Sequence, residues 1–427
     1  MSLVFHWGFE MFSTWLSNRR GNTTVVFALC LPVVMGCAGL GVEVGFWQFR
    51  QRQAQTAADL AAYAGAVSLR NHESVAQARE EAAAEARLHG FEATAGVINA
   101  MSPPQSGNYQ DSRSMEVVLN QSLPRFFSSI MSQEPLLISV RAVATYQEES
   151  DACLLALSPD ASAAIDLFGS SNVAMIACEI MSNSIADDAV TLRGSTDVET
   201  PCINSVGGFE VGGSAGYTLT DCREARVNLP RAQDPYEDVQ PPTLPSSCSN
   251  INGGGGGPNG GLVTVSAGPS GVKRFCNGLN LSGDYEFEPG VYVIDGGDFR
   301  IGAQAHVQGD GVTFYFTDGA RARFNGGATV QLTAPNTGEY AGLVFFGDRD
   351  DYGVDHTFNG TADSHITGAI YTPASDISFL GDFSGQDGCM QLVGYTVEIG
   401  GNADITTDCT GVGLTFPKIP GDVRLVE

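Results

Sequence analysis

Eighteen consecutive residues from Val25 to Val42, VVFALCLPVVMGCAGLGV, carry no charge. A helix needs about 20 such residues to cross the hydrocarbon layer of a bilayer. Past Glu43 the apolar run resumes as Val44, Gly45, Phe46 and Trp47. A cleaved signal peptide would have a shorter apolar core and a small-x-small cleavage site, whereas Glu-Val-Gly-Phe-Trp follows Val42. A buried helix of a soluble protein rarely runs this far without a polar face. The stretch therefore predicts an uncleaved transmembrane helix over 21–47, preceded by a short cytoplasmic segment, 1–20. Glu43 falls where that helix meets the headgroups, and a carboxylate there is ordinarily solvated. Cys37, Gly41 and Gly45 share one helical face at four-residue spacing. Small residues so spaced let a second helix approach closely, although glycine is also simply tolerated in membrane helices.

Charge flanking the span is nearly balanced, with Arg19 and Arg20 before it and Arg50 and Arg52 after it. Cysteine distribution orients the chain better. Two of the ten, Cys30 and Cys37, lie in the span; Cys153, Cys178, Cys202, Cys222, Cys248, Cys276, Cys389 and Cys409 all follow residue 150. With no CxxC pair and no histidine at ligand spacing, these eight read as disulfides in an oxidising compartment. Pairing of sequence neighbours is the simplest expectation: 153–178, 202–222, 248–276 and 389–409. That places the C-terminal bulk outside the cytoplasm, in the periplasm or at the cell surface.

The net charge of −26 is also uneven. Residues 1–150 hold 10 basic and 13 acidic side chains; residues 151–427 hold 12 and 35. Such acidity argues against a nucleic-acid partner, whose phosphates would be repelled, and against electrostatic attachment to anionic lipid.

Residues 48–150 read as a stem. Gln51–Leu69 and Glu73–Leu88 are rich in alanine with no proline, which predicts one long helix continuing outward from the membrane. Ala54, Ala57, Ala58, Ala61 and Ala62 give it a narrow face of small side chains. Gly90 and the glycine- and proline-bearing stretch 96–107 end it. Met115–Leu119 and Leu136–Tyr146 read as strands, with a short apolar helix, RFFSSIM, starting at Pro124 between them.

The segment Arg20-Gly-Asn-Thr-Thr-Val-Val-Phe-Ala-Leu29, Leu31-Pro32 and the later Gly-Val-Glu-Val-Gly resemble the N-terminus of TadG-type Flp (tight adherence) pilus-assembly proteins. Gln53-Ala-Gln-Thr-Ala-Ala-Asp-Leu-Ala-Ala62 is similar to the alanine-rich segment that follows the span in that family, and LPRFFSSIM…ISVRAVATY to the tail of TadE/TadG ectodomains. The resemblance covers roughly residues 18–147. It implies a pilin-like stem and a role in assembling or anchoring a Flp pilus, with the bilayer and other pilus-assembly membrane proteins as partners. TadE-type pseudopilins carry a glutamate five residues after the processing glycine. Counted from Gly21 that position is Val26, so the chain is similar to the unprocessed TadG branch. A von Willebrand A-type DxSxS metal motif found in some relatives is missing, since Asp160 and Asp376 both lack the final serine.

Past residue 150 a glycine, a few small or polar residues and an apolar β-former recur, as at Gly169–Val173, Gly194–Val198, Gly302–Val307, Gly327–Val330, Gly360–Ile366 and Gly401–Ile405. Short strands joined by such turns at this interval predict stacked coils, a β-solenoid over 151–427. A β-sandwich with loose self-similarity is the alternative. Gly253–Gly257, beside proline-rich 241–245, reads as a linker between two halves. The fold expected is thus membrane-anchored α plus β: a transmembrane helix, a pilin-like stem and a mainly-β, disulfide-braced solenoid.

Chemistry is sparse. Asp348, Asp350, Asp351 and Asp355 resemble half of a calcium loop, but Asn359 stands where the bidentate glutamate belongs, so a solvated acidic turn is the better reading. Asp348, Asp351, Asp355 and His365 are the residues that would serve a β-helix polysaccharide hydrolase or lyase. Tyr352 and Phe358 are candidates for contact with surface glycans. The expectation is a non-enzymatic protein without metal or cofactor, its alternatives being that enzyme or a membrane-tethered adhesin unrelated to pili.

Overall fold

The computed structural model describes residues 22–91, 96–251, 261–361, 363–380, 389–408 and 414–427. The predicted segment 1–20, the Gly253–Gly257 linker and Cys409 lie outside them. The chain divides into two compact units, residues 1–148 with 421–427, and residues 149–420.

In the first unit the span and the alanine-rich stretch form a single helix, α1, Asn22–Arg70. The second alanine-rich stretch does not prolong it. His72 takes a positive φ of 61°, and Ser74 opens a new helix, α2, Val75–Leu88, through a capping box with Gln77. The expected single long helix is thus a helical hairpin. Its antiparallel course follows from two close approaches: a Cβ on Gly65 would stand 3.2 Å from that of Ala82, and one on Gly90 2.9 Å from the Gln53 amide. Alanine allows this. Ala54, Ala57, Ala58, Ala61, Ala62 and Ala66 of α1 are buried with Ala78, Ala82 and Ala86 of α2, and side chains that small let two helix axes come close.

The hairpin packs on an antiparallel sheet of β1 (Gly96–Met101), β2 (Ser114–Leu123) and β3 (Leu136–Tyr146). Met115, Val117, Leu119, Val140, Ala142 and Ala144 supply its buried face. Both predicted strands are present; β1 falls in the stretch read only as a helix terminator. A fourth strand, Val423–Leu425, pairs with Ala144–Tyr146. Residues 421–427 therefore belong to this unit and not to the 151–427 domain expected, because three residues carry no pattern that names a partner so far back in the chain.

The polar end of this sheet is tied by Arg141. Its guanidinium bonds Glu116 at 2.5 Å and also bonds Glu427. Burial would raise the Glu116 pKa, but the Gln105 amide at 3.0 Å and Arg141 outweigh it and hold the carboxyl below its ordinary value. A carboxyl depressed on folding stabilises fully above its unfolded pKa of about 4.3 and loses that contribution as pH falls through the folded value. Acid titration followed by amide exchange in β2 should therefore show a loosening below about pH 4. Glu116→Gln should remove that step; an unchanged acid profile would show the pair to be irrelevant.

The second unit is a β-solenoid. Strands Ser150–Ala156, Ile165–Leu167 and Asn172–Ile176 make its first coil, and Glu179–Ser182, Val190–Leu192 and Asp197–Thr200 stack on them in parallel register. The final coil, Met390–Gly394, Val397–Gly400 and Asp404–Asp408, stacks on the other side of the first, pairing Leu392 with Leu154, Val397 with Ile165 and Ile405 with Val173. The chain therefore builds outward from the middle, crosses over, and winds back from the far end. One nine-stranded parallel sheet records this order along the whole stack.

Each coil turns apolar residues inward, and the interior is aromatic: Phe299, Phe314, Phe316, Phe345, Phe358 and Phe379 are fully buried. Strands such as Leu343–Gly347 and Gly290–Asp295 are buried on both faces, so they read as continuous rather than alternating runs. Their outer face is covered by the crossover chain. Leu229, Ala232 and Tyr236 pack there with Val291, Val293, Tyr315 and Tyr371. Asn183 bonds Ala232 in both directions at 2.9 and 2.8 Å, and Arg349 donates to Val239 O at 2.9 Å. Residues 229–239, which precede the predicted linker, are thus a docked strap.

Candidate functional site

Helix α1 is the one helix among the described residues long and apolar enough to cross a membrane. Two opposite faces of it matter. At 100° per residue, Gly39, Glu43 and Trp47 form one stripe, and Cys37, Gly41 and Gly45 form another about 160° away.

The first stripe is occupied by the loop between β2 and β3. The Glu43 carboxylate accepts from the Phe126 amide at 2.7 Å, the Ser128 amide at 2.8 Å and the Ser128 hydroxyl at 2.9 Å. Glu43 is buried, which corrects the expectation of a solvated carboxylate: its donors lie more than eighty residues away, beyond any local signal. Gly39 is covered by Phe127, whose ring a Cβ there would meet at 2.7 Å. Trp47 donates to Pro124 O at 3.4 Å and lies under the Arg125 guanidinium. The apolar helix expected here is only a 3-10 turn, Ser128–Ile130.

The second stripe is open. Cys37 is exposed, and a Cβ on Gly41 or Gly45 would meet nothing within 4 Å.

Residues 21–68 match a family described as "Putative Flp pilus-assembly TadE/G-like". The chain carries a TadE/G-like domain. That domain coincides with α1, from the first turn of the span to the end of the alanine face. No curated protein and no solved structure matches the chain significantly. With its single apolar helix, the TadE/G-like segment is a single-pass membrane anchor.

In the solenoid the structure brings together Cys153 with Cys178, Cys202 with Cys222 and Cys248 with Cys276, at Cα separations of 5.4, 5.4 and 5.6 Å. Cys389 is disulfide-bonded as well, while its predicted partner Cys409 is outside the described residues.

The acidic turn is wired into the fold. Asp348 accepts from the Tyr315 and Thr317 hydroxyls, both at 2.8 Å, and Asp351 accepts from the Gly319 amide at 3.0 Å. Burial works against the Asp348 carboxylate, yet these donors and the Asp350 amide keep its pKa low. Asp355 pairs with Arg323 at 3.3 Å. His365 stands on a different sheet, in register with Gln331, apart from these aspartates. Among the described residues no three His, Cys, Asp or Glu side chains converge to hold a metal. Tyr352 is 70% exposed, but Phe358 is buried between Phe345 and Phe379 at 5.2 Å from each. Its strand points His356 and Phe358 inward, so Phe358 offers nothing to a glycan. Burial pushes the His356 pKa down to about 3, and its neutral ring accepts from the Ala322 amide.

Proposed function

We propose that this protein acts in the assembly or anchoring of a Flp-type (tight adherence) pilus, as a non-catalytic envelope protein that presents an acidic β-solenoid from a single-pass anchor. The observation that carries this reading is the TadE/G-like match, which falls on the anchor helix and its alanine face rather than on the solenoid. Paired cysteines favour an oxidising compartment for the solenoid, periplasm or cell surface, and hence a cytoplasmic segment 1–20. The excess of 35 acidic over 12 basic side chains in residues 151–427 supports a soluble, self-repelling body there.

The open Cys37–Gly41–Gly45 stripe is our candidate contact for another membrane helix of the assembly, since its small residues admit close backbone approach. Deleting the coding sequence in its host should reduce Flp filaments counted by electron microscopy; undiminished piliation would defeat the proposal. Gly41→Leu, which fills the stripe without touching the β2–β3 loop, should lower co-purification of pilus-assembly membrane proteins from detergent about tenfold, the factor given by ~1.4 kcal/mol of lost contact.

A further inference from the structure

We propose that the β2–β3 loop, residues 124–132, is a second membrane-inserted element, sunk among the lipids of the leaflet on the side of the β sheet. The inference rests on α1 being the anchor and goes beyond it.

The loop is pinned at a depth inside the uncharged run. Phe127 covers Gly39, which lies three residues, or about 5 Å, within the end of that run at Val42. Its outward side chains are apolar and uncovered: Phe126 and Phe127 are 53% exposed, Ile130 92% and Met131 84%. Four such side chains on one short loop have no place in water. Phe127 and Phe126 lie on α1 against Gly39 and Phe46, beside the exposed apolar Leu40, Val42 and Val44, and that continuity names lipid as the occupant. Polar groups are arranged to match. The Glu43 carboxylate, costly in hydrocarbon if bare, receives three hydrogen bonds from the loop's own donors. Trp47 and Arg125 stack together farther along α1, where an aromatic ring and a guanidinium suit the headgroup layer.

Full-length protein with Cys30 and Cys37 changed to Ser would be labelled with the NBD fluorophore at Ile130→Cys and reconstituted in phosphatidylcholine–phosphatidylglycerol vesicles. Val33→Cys serves as the mid-span control and Glu81→Cys, exposed on α2, as the aqueous one. The expected result is strong quenching of position 130 by shallow doxyl-lipid and several-fold less by aqueous iodide than at position 81. Equal iodide quenching at 130 and 81 would overturn the proposal, and so would shielding of 130 from both quenchers, which would mean a protein partner covers the loop. If position 33 also escapes doxyl-lipid, the anchor reading itself fails. Glu43→Ala should release the loop and lower doxyl quenching at 130 while leaving that at 33 unchanged; undiminished quenching would show that Glu43 does not pin it.

Discussion

Phe345→Ala is expected to destabilise the solenoid by about 3–5 kcal/mol, the range for truncating a fully buried phenylalanine. Phe345 is wholly buried in the strand Leu343–Gly347. Its ring lies 5.6 Å from Phe314, 5.9 Å from Phe316, 5.8 Å from Phe324 and 5.2 Å from Phe358. Phe314, Phe316 and Phe324 belong to the preceding coil and Phe358 to the same coil as Phe345, so the ring joins two successive layers. Coils contact only their neighbours, and a cavity at one layer cannot be closed by collapse from elsewhere. Urea unfolding of the isolated residue 149–420 unit would measure the loss once that unit is shown to fold alone; otherwise the full chain in detergent serves. Tyr352→Ala, at an exposed ring, should cost less than about 0.5 kcal/mol. A Phe345→Ala loss no larger than that would mean the aromatic interior is not what holds the coils.

Gly169→Ala should be nearly as damaging although it adds a single methyl. Gly401, Gly169, Gly194 and Gly213 stack at one corner of the solenoid with φ between 74° and 83°. A Cβ on Gly169 would stand 2.6 Å from the Gly401 carbonyl oxygen, and one on Gly194 would stand 2.6 Å from that of Gly169. The left-handed conformation costs an alanine about 1–2 kcal/mol, and forcing backbone apart at a packed corner adds about 1–3 kcal/mol. Gly353 separates the two terms. Its φ is 72° but a Cβ there meets nothing, so Gly353→Ala should show the conformational cost alone. Equal losses at 169 and 353 in denaturant titrations would refute the close-packed corner.

This corner also shows what the sequence made legible. The recurrence Gly169–Val173, Gly194–Val198, Gly401–Ile405 is a coil turn followed by a strand, and in the structure Val173 pairs with Val198 and with Ile405. Repetition of a local rule survives in sequence because each coil must solve the same turn with the same residue. The exposed Phe126, Phe127, Ile130 and Met131 were visible as an apolar string, yet their spacing suggested a helix, because nothing local told of Glu43.

By itself, then, the chain determined its anchor, its alanine-faced extension, the solenoid and three of the neighbouring cysteine pairs, all of which depend on composition and spacing within a few tens of residues. Only the tertiary structure decided that the first and last coils stack in the middle of the solenoid, that residues 421–427 return to the β1–β3 sheet, and that Glu43 grips the loop. Those outcomes join residues far apart in the chain, and they are set by which buried groups still lack a partner after the local elements have formed.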